Sequence, residues 1–297
     1  MEQEQEAEQE ITRKGSQKLL QAIFRRNPLM NLREIMEIIR YEIKRLLFTQ
    51  KFFIAISLIL LPAIIYLDAS ASKVSVYLLD IGIEGFSKRS AAGYVIIGQF
   101  LMQMIGIMLT LDSFGDAAKD SLQRYFAMPI KKVNIFISHT ITVALGMTIT
   151  GILSVLIFNL VLWIWTEVSL SFILLLEAFF LTFIGALLAS ATTTLFVTIA
   201  NYFDFSSSLA IVPTLFLFYV IPFVVYFTAQ FQYINVALEN WTFMHQLAVA
   251  TDFMIQPPNG LQNLLTAPAL RTAWLVISLT IMVSEILALI IFLRTEK

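Results

Sequence analysis

The chain has 297 residues, of which 58% are hydrophobic and only 14% are charged, and it contains no cysteine. A soluble domain carries about 25% charged residues, so the composition excludes an ordinary soluble protein as well as a disordered or disulfide-stapled one. The formal net charge of -1 provides no overall positive field, and we therefore expect no nucleic-acid partner. These values indicate a polytopic membrane protein that has the lipid bilayer as its solvent.

The N-terminal part of the chain divides into an acidic tail and a helical segment. Residues 1–15 are predicted to be a disordered acidic tail, because their Glu-rich start does not fit the basic start and apolar core of a signal peptide. Residues 16–51 carry apolar side chains at helical spacing, namely Leu32, Ile35, Met36, Ile39, Ile43, Leu46 and Leu47. We expect an amphipathic helix on the cytoplasmic membrane surface or, alternatively, a cytosolic helix packed on the same protein.

Six later stretches are apolar enough to cross the hydrocarbon core, which takes roughly 17–25 residues as a helix. They are residues 52–67, 91–111, 133–165, 170–200, 209–228 and 273–293. The first is short unless the preceding Leu and Phe residues are counted, so five or seven spans are alternatives. The expected fold class is an all-α membrane protein, with residues 52–297 as a six-span transmembrane domain.

Lys and Arg flank these spans unevenly, and cytoplasmic loops are the ones that retain positive charge. With the N-terminus inside, eleven Lys and Arg lie near the inner ends of the spans and four lie in the outer loops. We therefore expect both termini to be cytoplasmic.

The sequence lacks the motifs of several enzyme classes. It has no Gly-x-x-x-x-Gly-Lys-Ser/Thr loop for ATP and no His-Glu-x-x-His, and its only histidines, His139 and His245, are predicted at opposite membrane surfaces. Without cysteine, thiolate chemistry is excluded. We expect no catalytic residues, no metal site and no cofactor in this chain.

The segment between the second and third spans is the densest charge cluster outside the N-terminal region. Residues 112–132 carry Asp112, Asp116, Lys119, Asp120, Arg124, Lys131 and Lys132. Leu122 and Phe126 occur at helical spacing, and Pro129 ends the helix before span three begins. The pattern predicts a short amphipathic helix, which is either an ordinary positive-inside loop or a rigid docking element that transmits force to two spans.

This segment resembles the corresponding loop of type-2 ATP-binding-cassette (ABC) exporter permeases. Their pattern runs from an acidic residue through Gly-Thr-Leu, a leucine and a proline to a basic residue, and then to Gly-Lys at the start of span three. The matching residues here are Asp116, Ser121, Leu122, Phe126, Pro129, Lys132, Ser138 and His139. Two positions depart from the pattern, because Asp120 stands where the family often has glycine and His139 replaces lysine.

The predicted architecture is similar to that family as well, including a long outer segment between spans five and six. Residues 231–270 supply this segment, and their short apolar runs predict small helices that dip into the outer leaflet. The resemblance implies a permease half that forms a homodimer, or a heterodimer with a sister permease, and docks two copies of a separate ATPase chain, which binds ATP and Mg. It also implies the ATPase-coupling residues Asp112, Asp116, Asp120, Arg124, Phe126, Pro129 and Lys132.

Polar side chains within the predicted spans are candidates for a substrate path. Glu285 lies near the middle of span six, where a charge costs roughly 2.5–3.5 kcal/mol or more, so it either faces a cavity or stays neutral and hydrogen-bonded. Gln99 and Gln103 share one face of span two and either line a path or hold a neighbouring helix. Glu177 lies near the outer end of span four, where it can reach the membrane surface, and we expect a structural role.

Span four also carries small residues at helical spacing, which allow the backbones of two helices to approach closely. We expect Gly185 and Ala189 to pack against another helix of the same chain rather than against a dimer partner.

Together these features predict the transmembrane permease subunit of an ATP-driven exporter in the plasma membrane, with no enzymatic activity of its own. The alternative is a secondary carrier or channel that uses Glu285 and Glu177 in ion coupling. The loop 112–132 favours the exporter, because a carrier does not need it.

Overall fold

A computed structural model of the chain describes residues 28–47, 74–118, 122, 124–125, 130–230, 246–247, 249–251, 255 and 262–295. Helices make up 93% of this part of the chain and no strand occurs in it, so the all-α fold class is confirmed. The predicted acidic tail and the first predicted span, residues 52–67, lie outside the described residues, as do most of residues 231–261.

The helices follow one another in a simple order. The α-helices are α1 (Pro28–Leu47), α2 (Val74–Phe114), α3 (Lys132–Thr166), α4 (Phe172–Tyr202), α5 (Ile211–Leu215), α6 (Ile221–Gln230) and α7 (Gln262–Arg294). Short 3-10 helices follow α2 and precede α5, at Asp116–Ala118 and Ser207–Ala210, and a π-helical turn, Phe216–Val220, joins α5 to α6.

Five helical segments within the described residues are long and apolar enough to cross a membrane, which makes the chain a multi-pass membrane protein. They are Gly82–Phe114, Lys132–Thr166, Phe172–Tyr202, Ser207–Val225 and Arg271–Arg294, and we number them spans two to six to keep the predicted order. Span two starts nine residues before the predicted residue 91, and the remaining boundaries lie within three residues of the predicted ones.

Two backbone irregularities interrupt the helices. Gly82 has a φ of 69°, in the left-handed region that favours glycine, and it bends the start of α2 away from the axis of span two. The π-helical turn in span five directly precedes Pro222, which has no N–H to donate to the carbonyl of Phe218. The wider turn accommodates the proline ring, so the helix continues through it.

Spans three and four form the tight hairpin that the sequence predicts. Glu167 ends α3 in the left-handed conformation, and its N–H bonds to the carbonyl of Trp163 at 2.8 Å. Asn159 Oδ1 accepts a hydrogen bond from the N–H of Leu170 at 2.8 Å, and the hydroxyl of Ser171 caps the start of α4. We call this end of the bundle the hairpin end, and the end that carries residues 112–132 the loop end.

The centre of the bundle is the contact between α2 and α4, the most extensive one between any two elements that the structure describes. A Cβ on Gly106 of α2 would come within 2.7 Å of the carbonyl oxygen of Ala186, so only glycine permits this approach. The outer members of the bundle have less protein around them: 61% of the most apolar stretch is buried in span two, but only 17% in span five and 22% in span six.

Residues 246–247, 249–251 and 255, which lie between spans five and six, are helical. Leu247 is fully buried in a cluster with Ile107 of α2 and Ala189 of α4, while Ala250 and Ile255 belong to the core cluster at the hairpin end. These described residues therefore contribute to the core between the spans.

Candidate functional site

The loop between spans two and three is anchored in the bundle by apolar side chains. Leu122 and Tyr125 are buried in a core cluster that also contains Ile38 of α1, Phe136 of α3 and Phe292 of α7. Three separate helices thus hold the described part of the loop, so a force applied to the loop reaches all of them.

Polar contacts tie α1 to the same loop. The hydroxyl of Tyr125 donates to Glu42 Oε1 at 3.0 Å, and Arg45 Nε donates to Glu42 Oε2 at 2.8 Å. Burial raises the pKa of the Glu42 carboxyl above its ordinary value, although the Arg45 guanidinium and the Tyr125 hydroxyl both oppose that rise. Burial and the nearby Glu42 charge likewise raise the pKa of Tyr125, so its hydroxyl remains a donor.

Arg45 extends this network to the end of span two. Its Nη2 donates to the backbone carbonyl of Asp112 at 3.0 Å, and the Asp112 side chain is itself buried. We call Glu42, Arg45, Asp112 and Tyr125 the anchor cluster. Asp112 therefore lies inside the protein, where it holds the loop instead of offering its side chain to a partner.

Asp116 joins the loop to the start of span five. Its Oδ2 accepts hydrogen bonds from Ser206 Oγ at 2.9 Å and from the N–H of Ser207 at 3.1 Å, while Ser207 Oγ accepts from the N–H of Asp116 at 2.7 Å. Each residue satisfies a backbone donor of the other, as in a capping box, but here the two residues belong to different elements. Asp116 is exposed, so its other oxygen also faces the surface.

The first turn of α3 is held in the same way. Lys132 Nζ donates to the carbonyl of Thr295 at 2.6 Å, and Asn134 Nδ2 donates to Glu34 Oε2 at 3.0 Å. Lys132 thus fixes the C-terminal end of α7 beside the loop, and Glu34 ties α1 to α3. These contacts and the core cluster around Leu122 and Tyr125 connect α1, span three and span six at the loop end.

The side chain of Arg124, another of the predicted coupling residues, is exposed. It lines a cavity of about 350 Å³ together with Tyr125 of the loop and with Glu34, Glu37 and Tyr41 of α1. Both signs of charge and two aromatic rings line this groove between α1 and the described part of the loop.

His139, which occupies a position of the resemblance, is fully buried seven residues after the first residue of span three. Its ring lies 5.5 Å from that of Phe114 and 6.0 Å from that of Tyr125, measured between centroids. Neither ring nitrogen has a hydrogen-bond partner within the described residues. His139 is therefore part of the interior, and a docked partner cannot reach it.

The remaining predicted residues are three in the loop and the polar residues of the proposed substrate path. Asp120, Phe126 and Pro129 lie outside the described residues. Gln99 and Gln103 are buried between α2 and its neighbours: Gln99 Nε2 donates to Thr251 Oγ1 at 3.4 Å, and Gln103 lies against Gly185. Both amides thus contact other segments of the chain in the packed interior.

Glu285 occupies a different environment from the two glutamines. It is partly buried in span six, and its Oε2 atom is enclosed without a hydrogen bond to any residue in the described part of the chain. The structure does not bring Glu285 together with Gln99 and Gln103 into one lined path.

Gly185 and Ala189 lie in the interior on α4, as expected for packing within the chain. Ala189 contacts the cluster around Leu247, and a Cβ on Gly185 would meet Gln103 at 3.5 Å, an ordinary contact. The tightest approach between two spans is instead at Gly106 of α2, outside the small-residue pattern of span four, although Thr110 lies four positions further along the same helix.

No group of three or more His, Cys, Asp or Glu side chains that could hold a metal ion occurs in the described ranges.

No protein-family model matches the chain, and a search of curated proteins finds no significant relative.

Proposed function

We propose that this protein is the transmembrane permease subunit of an ATP-driven ABC exporter, and that a separate ATPase chain docks on the loop 112–132. The observation that carries the proposal is the anchoring of Leu122 and Tyr125 among α1, α3 and α7. A loop that served only to connect two spans would not need this connection to three helices.

The exposed groove beside Arg124 supplies the docking surface in this proposal. Glu34 and Glu37 offer carboxylates, Arg124 offers a guanidinium, and Tyr41 offers a ring at the same cavity. Charged side chains of both signs fix the orientation of a partner more than they add affinity. Closure of the ATPase would press on the loop, and the anchor cluster would pass that movement to the ends of spans two and three.

The proposal includes the finer architecture expected from the sequence. It comprises six spans, α1 at the cytoplasmic membrane surface, short helices in the outer leaflet between spans five and six, cytoplasmic termini and a plasma-membrane location. Leu32 and Met36 of α1 are 60% and 61% exposed although apolar, which supports contact of this helix with lipid. The active unit is a dimer, homomeric or with a sister permease, and ATP and Mg belong to the two ATPase copies.

The test is co-purification of this protein with the ATPase encoded beside it, from cells that express both. We expect Arg124→Glu to reduce the bound ATPase at least about tenfold, as a reversed charge at a docking contact costs several kcal/mol. Arg271→Glu, an exposed arginine at the other end of span six, serves as the matched control and leaves the complex intact.

A third variant has residues 119–129 replaced with a Gly-Ser linker. The docking role would be contradicted if the ATPase co-purified equally with this variant, with Arg124→Glu and with Arg271→Glu. Substrate flux that needs Glu285 but no ATPase would identify a secondary carrier instead.

A further inference from the structure

A second cavity lies at the hairpin end, far from the loop. It has a volume of about 550 Å³, within the range of roughly 300–1,000 Å³ that is typical of small-molecule sites. Its walls come from the start of span two, from the hairpin between spans three and four, and from Ile255 between spans five and six. Three separate parts of the chain thus meet around it.

The charged lining of this cavity is unbalanced. Lys88 Nζ lies 2.8 Å from Glu84 Oε1, so these two opposite charges pair with each other on one turn of α2. Glu177 of α4 lines the same space, where Lys88 is the one positive side chain among the described lining residues. Two carboxylates therefore face one ammonium, and the site has room for one more positive charge.

The hydrogen-bonding groups favour the same sign of ligand. The Ser87 hydroxyl donates to the carbonyl of Ile83 at 2.9 Å, and the Lys88 ammonium is already held by Glu84. Glu84 thus holds the one cationic donor among the described lining residues, whereas the Glu177 carboxylate has no hydrogen bond or ion pair to any described residue and remains an acceptor.

The rest of the wall is apolar. Leu170, Ile173 and Leu174 from the hairpin and α4 line the cavity together with Ile255, next to the polar side formed by Glu84, Lys88 and Glu177. A hydrocarbon chain that lies along these side chains is removed from water, which stabilises binding in proportion to its length.

We propose that this cavity binds a monovalent cationic amphiphile, an alkylammonium whose charged end contacts Glu177 while its hydrocarbon chain lies on Leu170, Leu174 and Ile255. The ammonium neutralises the carboxylate that Lys88 leaves unbalanced, and the apolar wall contacts the hydrocarbon chain of the ligand. The site does not rest on the proposed ATPase docking, because the residues that form it lie at the other end of the bundle.

The test is calorimetric titration of the protein in phosphatidylcholine nanodiscs with octylammonium, octyl sulfate and octanol, each corrected for partition into empty nanodiscs. We expect saturable binding of octylammonium alone, with one site per chain. Glu177→Gln should weaken this binding at least about tenfold, which corresponds to about 1.4 kcal/mol. Lys88→Met should strengthen it about threefold, because it removes the competing positive charge and exposes the Glu84 carboxylate.

The matched control is Glu167→Gln, a carboxylate of the same hairpin that does not line the cavity and should leave the dissociation constant unchanged. The proposal is overturned if octylammonium shows no saturable binding, if octyl sulfate binds equally well, or if Glu177→Gln and Lys88→Met both bind like the unmodified protein.

Discussion

Tyr125 and Glu42 are 83 residues apart in the chain and share a buried hydrogen bond of 3.0 Å. This contact joins the loop between spans two and three to α1, which precedes all of the described spans. It also places a carboxylate inside the protein, where Arg45 is its second partner.

Loss of this hydrogen bond should loosen the loop. Tyr125→Phe keeps the ring in its core cluster but leaves the buried Glu42 with one partner fewer, and we expect the free energy of unfolding to fall by about 1.5 kcal/mol. Chemical denaturation in micelles measures the change. Tyr202→Phe, at a tyrosine that is 48% exposed, is the control and should change the stability little. Equal effects of the two substitutions would show that the Tyr125 hydroxyl does not hold the loop.

The raised pKa of Glu42 predicts a pH dependence of stability. Its carboxyl binds a proton more readily in the folded chain than in the unfolded one, where the pKa is near 4.5. Between pH 4.5 and the raised pKa of the folded state, the Glu42 carboxyl is protonated more often in the folded chain than in the unfolded one. The free energy of unfolding therefore falls as the pH rises through this interval. Glu42→Gln should remove this decline, measured as melting temperature against pH, and an unchanged slope would contradict the prediction.

Glycine should be required at position 106 but not at position 185. Gly106→Ala places a methyl group 2.7 Å from the carbonyl oxygen of Ala186 and forces α2 and α4 apart, at a cost of about 1–3 kcal/mol. Gly185→Ala meets its nearest atom at 3.5 Å and should be tolerated, with a gain in helix propensity. Thermal unfolding measures the melting temperatures of the two variants. Equal melting temperatures would contradict the close approach of α2 and α4 at Gly106.

Asp116 should contribute to stability as well as to any docking. Asp116→Ala removes the acceptor for Ser206 and Ser207, and we expect a loss of about 1 kcal/mol, as for other helix caps. Ser207→Ala removes the reciprocal hydrogen bond, from the N–H of Asp116 to Ser207 Oγ. Because the two bonds hold the same junction and loss of one loosens the other, the double variant should be less destabilised than the sum of the single ones. Additive effects in this double-mutant cycle would show that the two residues act independently.

Hydropathy was sufficient to locate the spans that the structure describes. Span three was expected at residues 133–165 and is Lys132–Thr166, because its apolar run ends sharply at Lys131 and Glu167. The start of span two was missed, since Ser87, Lys88 and Arg89 lower the local hydropathy. Within the helix, the pair of Glu84 and Lys88 reduces the cost of those charges.

Contacts between distant residues could not be read from the sequence. Asp116 was expected to face a partner, but its carboxylate also caps a helix that begins 91 residues later. Periodicity did not single out Glu42, and a charged residue that is 1% exposed is understandable only when Arg45 and Tyr125 are seen around it. The groove beside Arg124 depends likewise on how α1 lies against the loop.

Among the described spans, spans five and six are the least buried within their own chain, and their outward surfaces are made of large aliphatic and aromatic side chains. In a bilayer these surfaces meet acyl chains or another polypeptide along most of their circumference. The surrounding amphiphiles therefore complete the tertiary structure. A short-chain detergent covers the surfaces of these two helices poorly, and in it we expect the three helices α2, α3 and α4 to be the last part of the protein to unfold.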